Sequence, residues 1–390
     1  MHFTSDVKEA LNHKYSDMAD EMIKEGKDII SLCVGEPDMK VPTYVIDGIY
    51  KAMLEGKTHY SNSQGIKELR DAIAQDVNNI YGCGYTGEEV MIAPGVKPAS
   101  YFALSCLLEP KDEVVIISPY YLSYPSNIAL AEPEAIIKVV DLNDDLSLNI
   151  EKLDEAANDK TKCILVNSPN NPAGSMFSKN EVESICKIAL KHPNTYIISD
   201  EVYDRLVYKG EVHHSFLSEK DIKERLVLVN GYSKSHAMTG FRLGYSLANK
   251  KLVKKMALFA QQTITNTSTP LQYGALEIYK HPWDHIEPYC ESLQERMTYF
   301  HNEINKHPYF KGRLPRCSFY YWINIEASGK KSIEICDELL DKVGVVATPG
   351  VTFGEKWDNY IRFSIASSMD VLKKAIDRIA VSYTHLTLPT

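Results

Sequence analysis

Between about residue 88 and residue 284 the chain alternates short β-branched runs with longer amphipathic ones. "EVMIAPG" precedes a helical "KPASYFALSCLL", and "DEVVIISP" precedes "SYPSNIALA". "EAIIKVVDL", "KCILVNSPNNP", "TYIISDEVY", "RLVLVNGYS" and "FRLGYSLAN" follow, with a helix expected from about Ser178 to Lys191 and more across 250–280. Strands that are apolar on both faces must be covered on both. Alternation with helices therefore predicts an α/β fold, a mostly parallel sheet flanked by helices. Functional residues on such a sheet gather in the loops beyond the carboxyl ends of its strands.

After about residue 284 the texture changes. A long charged stretch, "WDHIEPYCESLQERMTYFHNEINKH", leads into "FYYWINIE", a helix near 331–342, "YIRFSIA" and a closing helix. The expectation is a large domain over 45–284 and a smaller α+β domain made of 1–44, folding back, plus 285–380. The last ten residues, 381–390, "VSYTHLTLPT", follow the closing helix without an apolar pattern and are expected to be a non-native tail. A net charge of −9 argues against nucleic acid, whose phosphates call for clustered Lys and Arg. Eight cysteines lie scattered without a CxxC pair, as reduced thiols do, and no metal site is expected. No apolar run approaches the roughly 20 residues of a membrane span, and the polar N-terminus lacks a signal-peptide core. The chain is expected to be soluble and cytoplasmic.

Four loops follow expected strands and carry polar residues that a bare core rejects. In "APGVK" (93–97) the glycine lets backbone N–H groups turn inward at a helix N-terminus, which makes an anion cup. Taken alone it is also an ordinary strand-to-helix turn. "NSPNNPAG" (167–174) is by itself a rigid turn held by Asx hydrogen bonds. "SDEVYDRL" (199–206) places Asp200 at a strand end with Tyr203 three positions on; an acid there also serves as a cap. In "NGYSKSHAMTGFRLGY" (230–245) Lys234 is set among small and hydroxyl residues, and Arg242 lies between glycines. Buried lysine and arginine need partners. Each loop is unremarkable alone; their recurrence at successive strand ends points to one shared site.

Together these segments resemble the fold-type I, pyridoxal-phosphate-dependent aminotransferases of class I/II, close to the bacterial aspartate aminotransferases. The resemblance runs from "LCVGEPD" (32–38) to "YIRFSIA" (360–366) and is carried also by "THYSNSQGIKELRDAI", "SPYYLSYP", "NSPNNPAG", "SDEVYDRLVY" and the lysine segment. It implies the fold, a smaller α+β domain, and a ping-pong transfer of an amino group between an L-amino acid and a 2-oxo acid. By the same resemblance Lys234 would hold pyridoxal 5′-phosphate as a Schiff base and, once displaced, act as a base. Asp200 would keep the pyridine nitrogen protonated. Tyr203 and Asn171 would hydrogen-bond the phenolic oxygen, and Tyr121 would stack on the ring. Arg242 would reach the phosphate as a buried charge made tolerable by its opposite. Ser233 and the N–H groups of Gly95, Val96 and Lys97 would share that phosphate. Tyr60 would contact it from the neighbouring subunit, which implies a homodimer. Arg362 would clamp the substrate α-carboxylate through a planar fork, with Gly35 leaving room beside it.

Three positions depart from the family pattern. Gly231 stands where many relatives have Ser or Thr, and Ala173 replaces the usual Thr of the NP-T-G turn. Ser105 lies where some aspartate-specific relatives have a cation for the distal carboxylate, so a dicarboxylate substrate needs another partner. Two other readings share the motifs. One is a carbon–sulfur β-lyase using the same Lys234, Asp200 and Arg362. The other, a cofactor-binding regulator, is disfavoured because only about 30 residues precede "LCVGEPD" and the chain is acidic.

Overall fold

A computed structural model describes residues 11–384. Its centre is a seven-stranded sheet in the order Val90–Ala93, Gly244–Leu247, Leu226–Gly231, Tyr196–Asp200, Thr161–Asn167, Glu113–Ser118, Ile136–Asp141. All neighbours pair in parallel except Gly244–Leu247, which runs against both of its partners. The exception has a simple cause. A parallel return needs a helix long enough to run back along the sheet. Residues 232–243 hold one helical turn, Tyr232–Ser235, and then bend back, so the chain re-enters the sheet beside the strand it has just left. Lys234 lies in that reversal.

Strand side chains alternate between two apolar layers, as a period of two requires. Leu226 and Leu228 join Val115, Ile117, Ile164 and Ile197 on one face, under the helices Lys67–Tyr81, Lys179–Lys191 and Thr269–Ile278. Val227 and Val229 join Val114, Ile116, Leu165 and Ile198 on the other, under Val96–Leu107, Tyr124–Ala131 and Lys250–Thr263. Only the edge strand Ile136–Asp141 is substantially exposed.

The expected α+β texture after residue 284 is a four-stranded antiparallel sheet in the order Thr348–Pro349, Tyr360–Ser364, Tyr320–Asn324, Lys311–Gly312. Helices Ile286–Ile304, Ser332–Val343 and Met369–Thr384 accompany it. Tyr15 and Ala19 of the helix Leu11–Lys24 enter the same apolar cluster, and Ile30–Ser31 pairs in parallel with Val345–Val346, so the N-terminal segment folds back here. The closing helix runs to Thr384, four residues into the segment expected to follow it. Leu372, Ala375, Ile376 and Ile379 anchor the helix in the core; residues 385–390 and 1–10 lie outside the described residues. Among the described residues, no helix is long and apolar enough to cross a membrane.

Candidate active site

The carboxyl ends of the central strands open onto a cavity of about 300 Å³ that the smaller sheet closes from the opposite side. Its lining includes Gly35, Val96, Lys97, Tyr121, Asn171, Asp200, Tyr203, Ser233, Lys234, Arg242 and Arg362. Of the side chains expected at the site, Tyr60 stands apart: it is 87% exposed and outside the cavity.

Lys234 is half-buried, and its Nζ donates to the Gly35 carbonyl at 2.5 Å. Burial lowers the amine from 10.5 to about 8; Glu36 and Asp200 oppose that shift, while the cations Arg362 and Arg242 reinforce it. Asp200 ends its strand, 6% exposed. One oxygen accepts from the Tyr124 hydroxyl at 2.9 Å and the other from the Val202 N–H at 3.2 Å. Burial raises this carboxyl from 3.8 to about 6, against the pull of those two donors. The cavity thus holds an amine that loses its proton more easily, and an acid that holds its proton to higher pH, than either does in water.

Arg362 comes from Tyr360–Ser364 in the smaller sheet and is 2% exposed. Its Nη1 donates to Asn171 Oδ1 at 2.8 Å, and its Nη2 to the Cys33 carbonyl at 2.5 Å and Thr348 Oγ1 at 3.1 Å. Its Nε is buried without a partner. A buried guanidinium with a free donor is set to receive an anion. The loop 167–174 holds Asn171 in place through Asx hydrogen bonds, Asn167 Oδ1 accepting from Asn171 N at 2.8 Å and Asn170 Oδ1 from Ala173 N at 2.9 Å.

Opposite lies the start of the helix Val96–Leu107. Its N-cap, Gly95, has φ 108° and no side-chain cap. A Cβ on Gly95 would stand 2.5 Å from Arg242 Nη2, and one on Gly244 would stand 2.9 Å from Val96 N. A Cβ on Gly231 would come within 2.9 Å of Gly244 Cα, which explains why no hydroxyl residue occupies that position here. Three glycines thus bring an uncapped helix start and a guanidinium together, a cradle for an anion.

Two expectations are corrected. Arg242 is exposed at the rim instead of buried, in the left-handed region (φ 53°), with Nη1 donating to the Thr239 carbonyl at 2.7 Å. Its charge needs no buried counter-ion because water reaches it. Ser105 is outside the cavity lining; its hydroxyl is buried and unpartnered within the helix layer, so it has no bearing on a distal carboxylate. Lys97, expected to contribute its N–H, also brings its ammonium, 5.7 Å from the Tyr121 ring centre.

Sequence reasoning missed Tyr124, Tyr320 and Glu36. The Tyr320 hydroxyl meets that of Tyr203 at 3.0 Å, and Glu36 hydrogen-bonds Thr239 next to the Arg242 turn. Tyr124 was visible only as one of three tyrosines in "SPYYLSYP", a clustering after a strand that could have flagged it.

Comparison with known proteins decides what this arrangement belongs to. Residues 27–379 match the family Aminotransferase class I and II. The chain is a member of that family. It is 34% identical to an aspartate aminotransferase of Bacillus subtilis over 93% of each chain. The structure of a Thermus thermophilus aspartate aminotransferase with maleate superposes with a TM-score of 0.91 at 30% identity, covering 98% of this chain and 100% of that one. An aspartate aminotransferase of Thermotoga maritima gives 0.90 at 31% identity, covering 97% and 98%. This aminotransferase therefore has the fold of the resemblance, and its reaction is transamination between an amino acid and an oxo acid.

Proposed function

We propose that this aminotransferase uses pyridoxal 5′-phosphate held by Lys234, and that its amino donor is an acidic amino acid such as aspartate. The observation that carries the reading is one cavity in which Lys234, Asp200 and Arg362 converge, with the glycine cradle at one end and the free Nε of Arg362 at the other. Both features fit the group: the cradle matches a phosphate, and Asp200 is an acid for a ring nitrogen.

When bound, the cofactor supplies an aldehyde conjugated to an electron-accepting ring. The chain's residues do the rest. Arg242, Ser233 and the N–H groups of Gly95, Val96 and Lys97 bind the phosphate. Asp200, oriented by Tyr124 and the Val202 N–H, holds a proton on the ring nitrogen. Tyr121 covers one face and excludes water; Tyr203 and Asn171 bond the phenolic oxygen. Arg362 receives the substrate α-carboxylate beside Gly35. Lys234, neutral above about pH 8, would be the base that takes the proton from the substrate Cα and holds it for its return. Lys97 has no carboxylate partner among the described residues, and it supplies the cation that a distal carboxylate needs.

The reading includes a homodimer. Helix Thr43–Leu54 exposes Ile46, Tyr50, Met53 and Leu54 along one side, and the exposed Tyr60 follows it. An apolar stripe of this kind suits a second copy, which would receive Tyr60 at its phosphate. It also includes the division into a cofactor-holding body, 45–284, and a second body, 1–44 with 285–380, that carries Arg362.

The test is a set of half-reactions: holoprotein mixed with single L-amino acids, without a keto acid, followed by visible absorbance. Aspartate should bleach the band and release its 2-oxo acid. A colourless protein that stays inert with added pyridoxal phosphate refutes the reading. Pyruvate and ammonia released from a cysteine conjugate point instead to the β-lyase.

A further inference from the structure

Tyr203 and Arg362 arrive from different sheets, and one side chain touches both. Tyr320 opens the strand Tyr320–Asn324 and pairs with Ser364, next to the register of Trp322 with Arg362. Its ring lies 4.4 Å from the Arg362 guanidinium carbon, and its hydroxyl lies 3.0 Å from that of Tyr203. The fit is tight: a Cβ on Gly35 would fall 1.8 Å from the Tyr320 oxygen. The side chain is 2% exposed and lines the cavity.

We propose that Tyr320 is a positioning residue that acts through Tyr203 and Arg362, setting how strongly the Tyr203 hydroxyl donates into the cavity while its ring holds the carboxylate clamp. The inference rests on the cofactor reading above. Two hydroxyls in contact share one hydrogen between them. When the Tyr203 hydrogen turns to a ligand oxygen, Tyr320 becomes the donor to Tyr203, and accepting that bond makes Tyr203 the better donor. The guanidinium over the Tyr320 ring strengthens the chain by drawing density from the phenol. The same stacking keeps the fork of Arg362 in plane.

The two halves of the proposal separate by variant. In Tyr320→Phe the ring stays and the hydroxyl is lost; in Tyr320→Leu both go. A donor to the phenolic oxygen withdraws the density that holds a proton between that oxygen and the Lys234 nitrogen. A weaker donor moves the change of visible absorbance to higher pH. Tyr320→Phe holoprotein should shift that midpoint upward by about 0.3–0.5 pH unit. Tyr203→Phe should shift it further, and the double variant no further than Tyr203→Phe alone. Succinate affinity should stay within about twofold in Tyr320→Phe and fall about fivefold in Tyr320→Leu. An unchanged midpoint in coloured Tyr320→Phe, additive shifts in the double variant, or equal succinate affinities for Phe and Leu overturn the role given to Tyr320 and leave the cofactor reading standing. Wild-type protein without visible absorbance after addition of pyridoxal phosphate overturns both.

Discussion

Asp200→Asn should stabilise the apoprotein while crippling the enzyme. The folded chain raises Asp200 from 3.8 to about 6, mainly by burial. The folded state thus holds this proton more tightly than the unfolded chain, so stability from this group is complete below about pH 4 and lost as pH rises through 6. At pH 7.5 the full displacement is worth about 3 kcal/mol against folding, at about 1.4 kcal/mol per tenfold change in proton affinity. Asparagine has the shape of the protonated acid and no charge to bury, and the Tyr124 hydroxyl can turn to accept from its amide. Apo Asp200→Asn should therefore gain about 3 kcal/mol at pH 7.5, or about 2–4 °C in thermal midpoint for a chain of this length. At pH 4.5, where most of the unfolded but few of the folded chains have lost the proton, the gain should shrink to about 1 kcal/mol. With pyridoxal phosphate bound, the same variant lacks the anion opposite the ring nitrogen, and kcat should fall about 100-fold or more. Scanning fluorimetry of wild-type and variant apoprotein at both pH values decides the matter. A variant less stable at both, or a gain that does not change with pH, refutes the assignment of Asp200 as a carboxylate under burial stress.

Lys234 should be the apoprotein's most reactive lysine at pH 8, because burial brings it to about 8, whereas a lysine free in water titrates at about 10.4. Acylation mapped by mass spectrometry checks this, and reactivity that rises only above pH 10 counts against it. Gly95→Ala should weaken pyridoxal phosphate binding at least tenfold, since its Cβ would meet Arg242 Nη2 at 2.5 Å at a backbone φ of 108°; unchanged affinity in a fluorescence titration removes the cradle. Lys97→Ala should raise KM for aspartate about tenfold and leave that for alanine within about twofold; parallel changes in both would deny it the distal carboxylate.

The central sheet was legible because its signals are local. Leu226 to Val229 are apolar without interruption, and only a strand between two helical layers places Leu226 and Leu228 on one cluster and Val227 and Val229 on the other. The loops at the strand ends were legible as a set, and the family resemblance assigned their roles. Burial was not. Arg242 was expected inside as a buried partner of the phosphate, yet it sits exposed at the rim with a positive φ. Ser105 and Ser100 both lie on the helix Val96–Leu107, and only Ser100 faces the cavity. Five positions on a helix amount to about 500° of rotation, and identity at a position says nothing of which way that turn ends.

What stayed hidden were contacts between residues distant in sequence. Tyr203 and Tyr320 lie 117 positions apart, and Asn171 and Arg362 lie 191 apart. A tyrosine at the start of a strand or a helix is commonplace, so Tyr320 carries no signal until the two sheets are placed face to face, and Tyr124 only that of its clustering in "SPYYLSYP". The anion cradle, by contrast, follows from the chain reversal at 232–243. Because no crossover helix fits there, Gly244–Leu247 lies against Leu226–Gly231, and Gly244 is forced beside Gly231 and Gly95. The contact admits no side chain at any of the three positions, and it brings the start of a helix within reach of Arg242. The anion cradle is thus a consequence of a connection too short for a parallel return. An insertion after Met238 long enough to relax that reversal should loosen the cradle without touching Asp200, Tyr203 or Arg362. Cofactor affinity should then fall while the apoprotein keeps its thermal midpoint, and loss of both together would show that the reversal serves the core instead of the site.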